Sequence, residues 1–202
     1  ADDANWVTVG SSAGQTSWAV PQTAGVAALL LSYANQTPTI HDNRNEVIKA
    51  IIINSTFPNI ADRNGRPTTG LTWHSDRGYG RLDALRAYHL LEALPVTNGQ
   101  ATEQKKGWSY AYLPSKQSHH YTITADKHSR LLTTVTWNRR VIWEDDITEK
   151  WYPQGGRGLI EYGEMTGYLA NIDLKIFDPD NQLIFSGQAD NNNLEKADIL
   201  LD

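Results

Sequence analysis

The chain has 202 residues, with 18 Lys+Arg against 23 Asp+Glu and a formal net charge of −5. Its 40% hydrophobic and 20% charged residues suit one large or two small globular domains and exclude disorder over the whole chain. The acidic balance argues against a nucleic-acid partner, no apolar run reaches the roughly 18 residues of a membrane span, and the absence of cysteine excludes disulfides, Cys-based metal sites and a thiol nucleophile.

The opening Ala1-Asp2-Asp3-Ala4-Asn5-Trp6 has no basic start, no apolar core of a signal peptide and no initiator Met, so the chain reads as processed or cut from something longer. Val9 to Thr16 is short, polar and Gly/Ser-rich, a strand end and a loop. Ser17 to Asn35 is apolar nearly all round, which predicts a buried helix whose small residues Ala19, Ala24, Gly25, Ala27 and Ala28 allow close approach. Pro21 falls within its first turn or so, where a missing N–H costs least.

A second helix is predicted from about Asp42 to Ile53, with Asp42 as N-cap and Val47, Ile48, Ile51 and Ile52 on one face. Residues 58–80 read as irregular, with Asn64-Gly65 and Pro67 as turn signals. A third helix is predicted from Leu82 to Leu94, carrying Leu82, Leu85, Leu90 and Leu94 at helical spacing and stopped by Pro95. Composition then changes. Val96 to Lys106 is polar and reads as a linker. Beyond it the pattern is of strands: Trp108–Leu113, His119–Thr124, Leu131–Trp137, Ile172–Phe177, Leu183–Ser186 and Lys196–Leu200, with a turn at Asp178-Pro179-Asp180-Asn181. Short strands with turn signals indicate a β-sandwich. Trp143 to Tyr152 reads as a loop whose aromatics cover the sandwich, or stack on a sugar or peptide, and Gly155 to Gly158 reads as a turn.

Four acids, Asp178, Asp180, Asp190 and Glu195, have the hard oxygen chemistry of a structural Ca²⁺ site. The favoured reading is that they form Asx turns and polar loop tips, so no cofactor is expected. Asn35-Gln36-Thr37 and Asn54-Ser55-Thr56 fit the N-glycosylation pattern at chance frequency.

Ser17 sits at a loop-to-helix junction, where unpaired backbone N–H groups and the positive helix end surround its oxygen. Such a serine is either an N-cap or a nucleophile with oxyanion donors at hand. The run Thr16-Ser17-Trp18-Ala19-Val20-Pro21-Gln22-Thr23-Ala24-Gly25 resembles the nucleophile motif of the subtilisin-like serine peptidases at Thr16, Ser17, Ala19, Pro21, Ala24 and Gly25. It departs at Gln15, where the family almost always has Gly. Asn45 to Thr56 resembles the family's next helix, and Gly78-Tyr79-Gly80-Arg81-Leu82-Asp83-Ala84 resembles the phrase that opens the last helix of the catalytic domain.

The resemblance implies an α/β fold: residues 1–95 would complete a doubly wound parallel-sheet catalytic domain, and 96–106 would link it to a β-sandwich at 107–202. Phrases at Leu131 to Asn138, Asn171 to Asn181 and Asp190 to Glu195 make that second part similar to pre-peptidase C-terminal domains. It further implies a secreted endopeptidase acting on proteins or peptides, with Ser17 as nucleophile. The family's triad runs Asp, His, Ser, yet no His precedes His41, so the acid and base would lie on a missing upstream segment. His41, His74, His89, His119, His120 and His128 lack the Gly-x-Ser-x-Gly context of an alternative triad and read as polar groups, with His74 facing solvent. The other reading is a non-catalytic pseudopeptidase or binding protein that uses the sandwich for recognition or anchoring.

Overall fold

A computed structural model describes residues 16–57, 73–74, 78–152, 156–187 and 192–201, with 16–18 and 140–166 described as backbone alone. Three helices come first: α1 (Thr16–Ala34), α2 (Asn45–Asn54) and α3 (Ala84–Leu91). Eight strands follow: β1 (Ala101–Thr102), β2 (Thr122–Ile123), β3 (Arg130–Thr136), β4 (Arg140–Tyr152), β5 (Gly156–Tyr168), β6 (Lys175–Phe177), β7 (Leu183–Ser186) and β8 (Leu194–Leu200). The described part is therefore mixed α/β. Its strands pair two by two: β1 with β2 in parallel, and β3 with β8, β4 with β5 and β6 with β7 antiparallel. Among the described residues no barrel closes.

Ala and Leu carry α1, both good helix formers, but the helix is not buried all round as its composition predicts. Leu30 and Ala34 are buried, whereas Val20, Ala24, Gly25, Ala28 and Leu29 are exposed, Leu29 by 71%. Described elements cover one flank only, because α2 and α3 both pack on that side. Pro21 lies in the second turn rather than the first, so Ser17's carbonyl lacks the N–H that position 21 would otherwise offer it.

α2 begins at Asn45, not Asp42. Arg44 is the N-cap and makes no side-chain capping bond. Asp42 is instead buried, where its carboxylate accepts the Thr37 hydroxyl and pins the turn between α1 and α2. Val47, Ile48 and Ile51 form the buried face as their spacing predicts.

Between α2 and α3 the chain is held by a bridge: Phe57 N donates to Arg81 O at 2.8 Å, and Arg81 N to Phe57 O at 3.0 Å. Gly80 turns into this bridge at φ 121°, a conformation that side-chain-bearing residues rarely adopt. Asp83 then caps α3, accepting Arg86 N at 2.9 Å. The helix is shorter than its leucine spacing suggests. Ala87 and Leu91 are its buried residues, while Leu85 and Leu94 are exposed. Trp108 ends it: the indole Nε1 donates to Leu91 O at 3.1 Å and Ala93 O at 3.0 Å, satisfying carbonyls that no further turn could pair. The Trp108 ring completes the core with Leu30, Ala34, Val47, Ile48, Ile51, Ala87 and Leu91.

Residues 96–106 pair with the chain that follows them. Val96 N donates to Trp108 O at 2.7 Å, Gly99 N to His120 O at 2.8 Å, and the stretch contains β1. Trp108–Leu113 forms no strand beyond a bridge from Trp108 to Pro95, and the strand predicted at His119–Thr124 shrinks to β2. The largest correction is β4–β5. The predicted loop at Trp143–Tyr152 and the described part of the predicted turn at Gly156–Gly158 belong to a ribbon of two 13-residue strands. The acids at 144–146 hide the alternation that would have marked a strand there. β3, β7 and β8 match their predicted positions closely, and Asn181 (φ 65°) turns the chain between β6 and β7 as predicted.

Two substitutions test this burial pattern by urea unfolding. Ile51→Ala, at the centre of the core, is expected to cost about 2–5 kcal/mol. Leu29→Ala, on the open flank of α1, is expected to stay within about 0.5 kcal/mol in this 202-residue chain.

Candidate functional site

Ser17 is the second described residue of α1. A helix start leaves its first backbone N–H groups unpaired within the helix, and the helix dipole adds partial positive charge there. The residues expected to matter upstream, Asp2, Asp3, Asn5 and Gln15, lie outside the described residues.

The histidines hold separate local positions. His41, at φ 75°, stacks with Tyr110 at 4.9 Å between ring centres, and Arg44 lies 5.5 Å from that tyrosine ring. His74 is half-buried, and its backbone N–H and carbonyl both bond Gly78, at 2.9 and 2.7 Å. His89 Nδ1 is 3.3 Å from Glu92 on the exposed side of α3. The His120 amide donates to Asn98 Oδ1, and the His128 amide to Leu201 O.

Two of the four candidate calcium carboxylates have their own hydrogen-bond partners. Asp178 Oδ1 accepts Gln182 N at 2.7 Å, an Asx-type closure of the β6–β7 turn. Asp190 is outside the described residues. Glu195 is no loop tip: it is 4% exposed within β8, and its Oε2 accepts Leu174 N at 2.6 Å. Among the described residues no group of three or more His, Asp or Glu could hold a metal ion. An open depression of about 480 Å³ is lined by Glu92, Ala93, Leu94, Gln104, Lys105 and Lys106, with neither Ser17 nor any histidine on its wall.

The densest polar cluster was missed by sequence reasoning. β3 and β8 lie across α2, and several hydrogen bonds cross the contact. Lys49 Nζ donates to Asn193 Oδ1 at 3.0 Å, Thr134 Oγ1 to Asn54 Oδ1 at 2.9 Å and Thr136 Oγ1 to Glu46 O at 2.9 Å. Lys196, only 6% exposed, donates to Ile53 O at 2.9 Å and to Thr56 Oγ1 at 3.0 Å. Thr56 Oγ1 in turn shares its proton between Ile53 O and Tyr79 O, at 2.9 and 2.7 Å. Burial pushes the Lys196 ammonium down to about 8; Asp198 opposes that shift, while Arg86 and Arg130 add to it. Lys49 is likewise lowered by burial. A hydroxyl beside a lysine of lowered pKa has the composition of a nucleophile and its base. Here both groups are buried and bonded to backbone carbonyls, so the pair is structural.

Glu-Lys-Ala-Asp at 195–198 looks like an exposed strand edge. The available clue was Asn54-Ser55-Thr56, a polar phrase directly after an apolar helix. There the Asn54 side-chain oxygen accepts the Thr134 hydroxyl.

No protein-family model, no curated protein and no solved structure matches this chain.

Gly187 tests the Glu195 environment. A Cβ there would lie 2.3 Å from Glu195 Oε2. Gly187→Ala is therefore expected to push the carboxylate off Leu174 N and cost about 1–3 kcal/mol in urea unfolding.

Proposed function

We propose that this chain is the C-terminal part of a secreted subtilisin-like serine endopeptidase, with Ser17 as nucleophile. The observation that carries the reading is a coincidence of motif and structure: Thr16-Ser17, with Ala19, Pro21, Ala24 and Gly25 following, falls on the first turns of a 19-residue helix. Its exposed flank is lined by Val20, Ala24, Gly25, Ala28 and Leu29. Apolar surface of that kind favours cover, which an upstream parallel sheet supplies in this reading. The same reading draws the strands beyond residue 107 into an appended β-sandwich.

In the proposed reaction Ser17 Oγ attacks the carbonyl carbon of a protein or peptide substrate while a histidine on the upstream segment takes its proton. The Ser17 N–H helps hold the negative oxygen. The histidine returns the proton to the departing amine, and water then hydrolyses the acyl-enzyme. Neither step needs a cofactor.

A fluorophosphonate probe with intact-mass detection tests this, applied to the 202-residue chain and to the protein extended upstream through its Asp and His. The extended protein is expected to gain one probe mass on Ser17, to lose that labelling on Ser17→Ala, and the short chain to remain unlabelled. An extended protein that carries the Asp and His, folds and yet takes no label would overturn the enzyme reading in favour of a non-catalytic scaffold.

A further inference from the structure

A polar seam lies between the helical core and the buried residues of the β part. The helical core holds Trp108 but none of the buried residues of the β part, Trp137, Leu194 and Ala197. Between them stand the bonds made by Lys49, Asn54, Glu46 and Lys196. Such a contact can open at modest cost, since water replaces each partner. At its centre, Lys196 meets a carbonyl and a hydroxyl, while the nearby carboxylate of Asp198 is held by Arg130, with Nη2 at 2.7 Å. Among the described residues Lys196 makes no ion pair, and the Asp198 charge reaches it only from beyond ion-pair distance.

We propose that Lys196 is a proton-operated latch: the β3–β8 ribbon docks on α2 more firmly when Lys196 is neutral than when it is protonated. A neutral amine still has two N–H groups for Ile53 O and Thr56 Oγ1, so losing the proton removes the buried charge and keeps the bonds.

The sign follows from linkage. Docked, Lys196 titrates at about 8; undocked and solvated, it returns to roughly 10.4. Between these values the open form holds a proton that the docked form lacks. The docking constant rises with pH there, by up to about tenfold per unit, and is flat below and above. The other charged groups around the seam are Glu46 and Lys49 on α2, Arg86 on α3, Arg130 on β3, and Glu195 and Asp198 on β8. Lys49 is lowered by the same cause and adds a slope of the same sign. Lys49→Met therefore serves as the background in which Lys196 is read alone. The proposal does not rest on the peptidase reading.

Because the chain has no cysteine, Leu85→Cys on α3 and Leu200→Cys on β8 give a clean pair of dye sites, 64% and 70% exposed. Energy transfer in the full 202-residue chain is followed from pH 7 to 10.5, at the urea concentration where half the molecules are docked at pH 8. The docked-to-open ratio is expected to climb several-fold to tenfold per unit between pH 8 and 10. Adding Lys196→Met should flatten that climb, and Lys196→Arg should flatten it and shift the ratio toward open. A ratio that stays level or falls from pH 8 to 10, or the same slope in Lys196→Met, would overturn the latch. If Lys196→Met does not fold by circular dichroism, Lys196→Arg decides: a slope equal to wild type in that variant has the same overturning force.

Discussion

Everything described here is organised around the two faces of α2. Val47, Ile48 and Ile51 turn one side of a ten-residue helix into the middle of an apolar core. Glu46, Lys49 and the Ile53 carbonyl, one and two turns apart on the other side, receive the β3–β8 ribbon. A helix this short has little stability of its own. It persists because dissimilar neighbours hold both sides, the apolar side by burial and the polar side by hydrogen bonds.

Trp108 is the second fastening. It enters the helical core from beyond the polar stretch 96–106 and bonds the carbonyls at the end of α3. Its backbone pairs with Val96, so the chain on both sides of that stretch is tied at one place. By contrast, α1 is fastened along one flank. Its opposite flank is apolar and open among the described residues, and that asymmetry is what the proposed upstream sheet would resolve.

Much of the helical part was legible from residues alone, because apolar spacing is local. Val47, Ile48 and Ile51 bury as read, whereas the Asp83 cap of α3 was not foreseen. The failures have a common cause. Asp42 looked like a cap, but a neighbouring hydroxyl captured it. Leu85 and Leu94 looked like core, but Ala87 and Leu91 face the helices that are present. The acidic run at 144–146 looked like a loop, but cross-strand pairing with 162–164 overrides composition. At the candidate site, Ser17's place on a helix was readable from the apolar residues that follow it. Lys196, Thr56 and Glu195 were not, since charged residues in a short strand read as exposed until another element is laid over them.

The sequence by itself determined the helix positions, the β6–β7 turn at Asp178–Asn181, the strands β3, β7 and β8, and the motif around Ser17. Each depends on residues within a few positions of one another. Tertiary structure decided which flank of α1 is covered, where α3 stops, that residues 140–152 pair with 156–168, and that Lys196 is a buried cation laid on the end of α2. Those outcomes depend on contacts between residues as much as 144 positions apart. Burial and desolvation at such contacts are properties of what lies alongside a residue, and sequence neighbours do not carry that information.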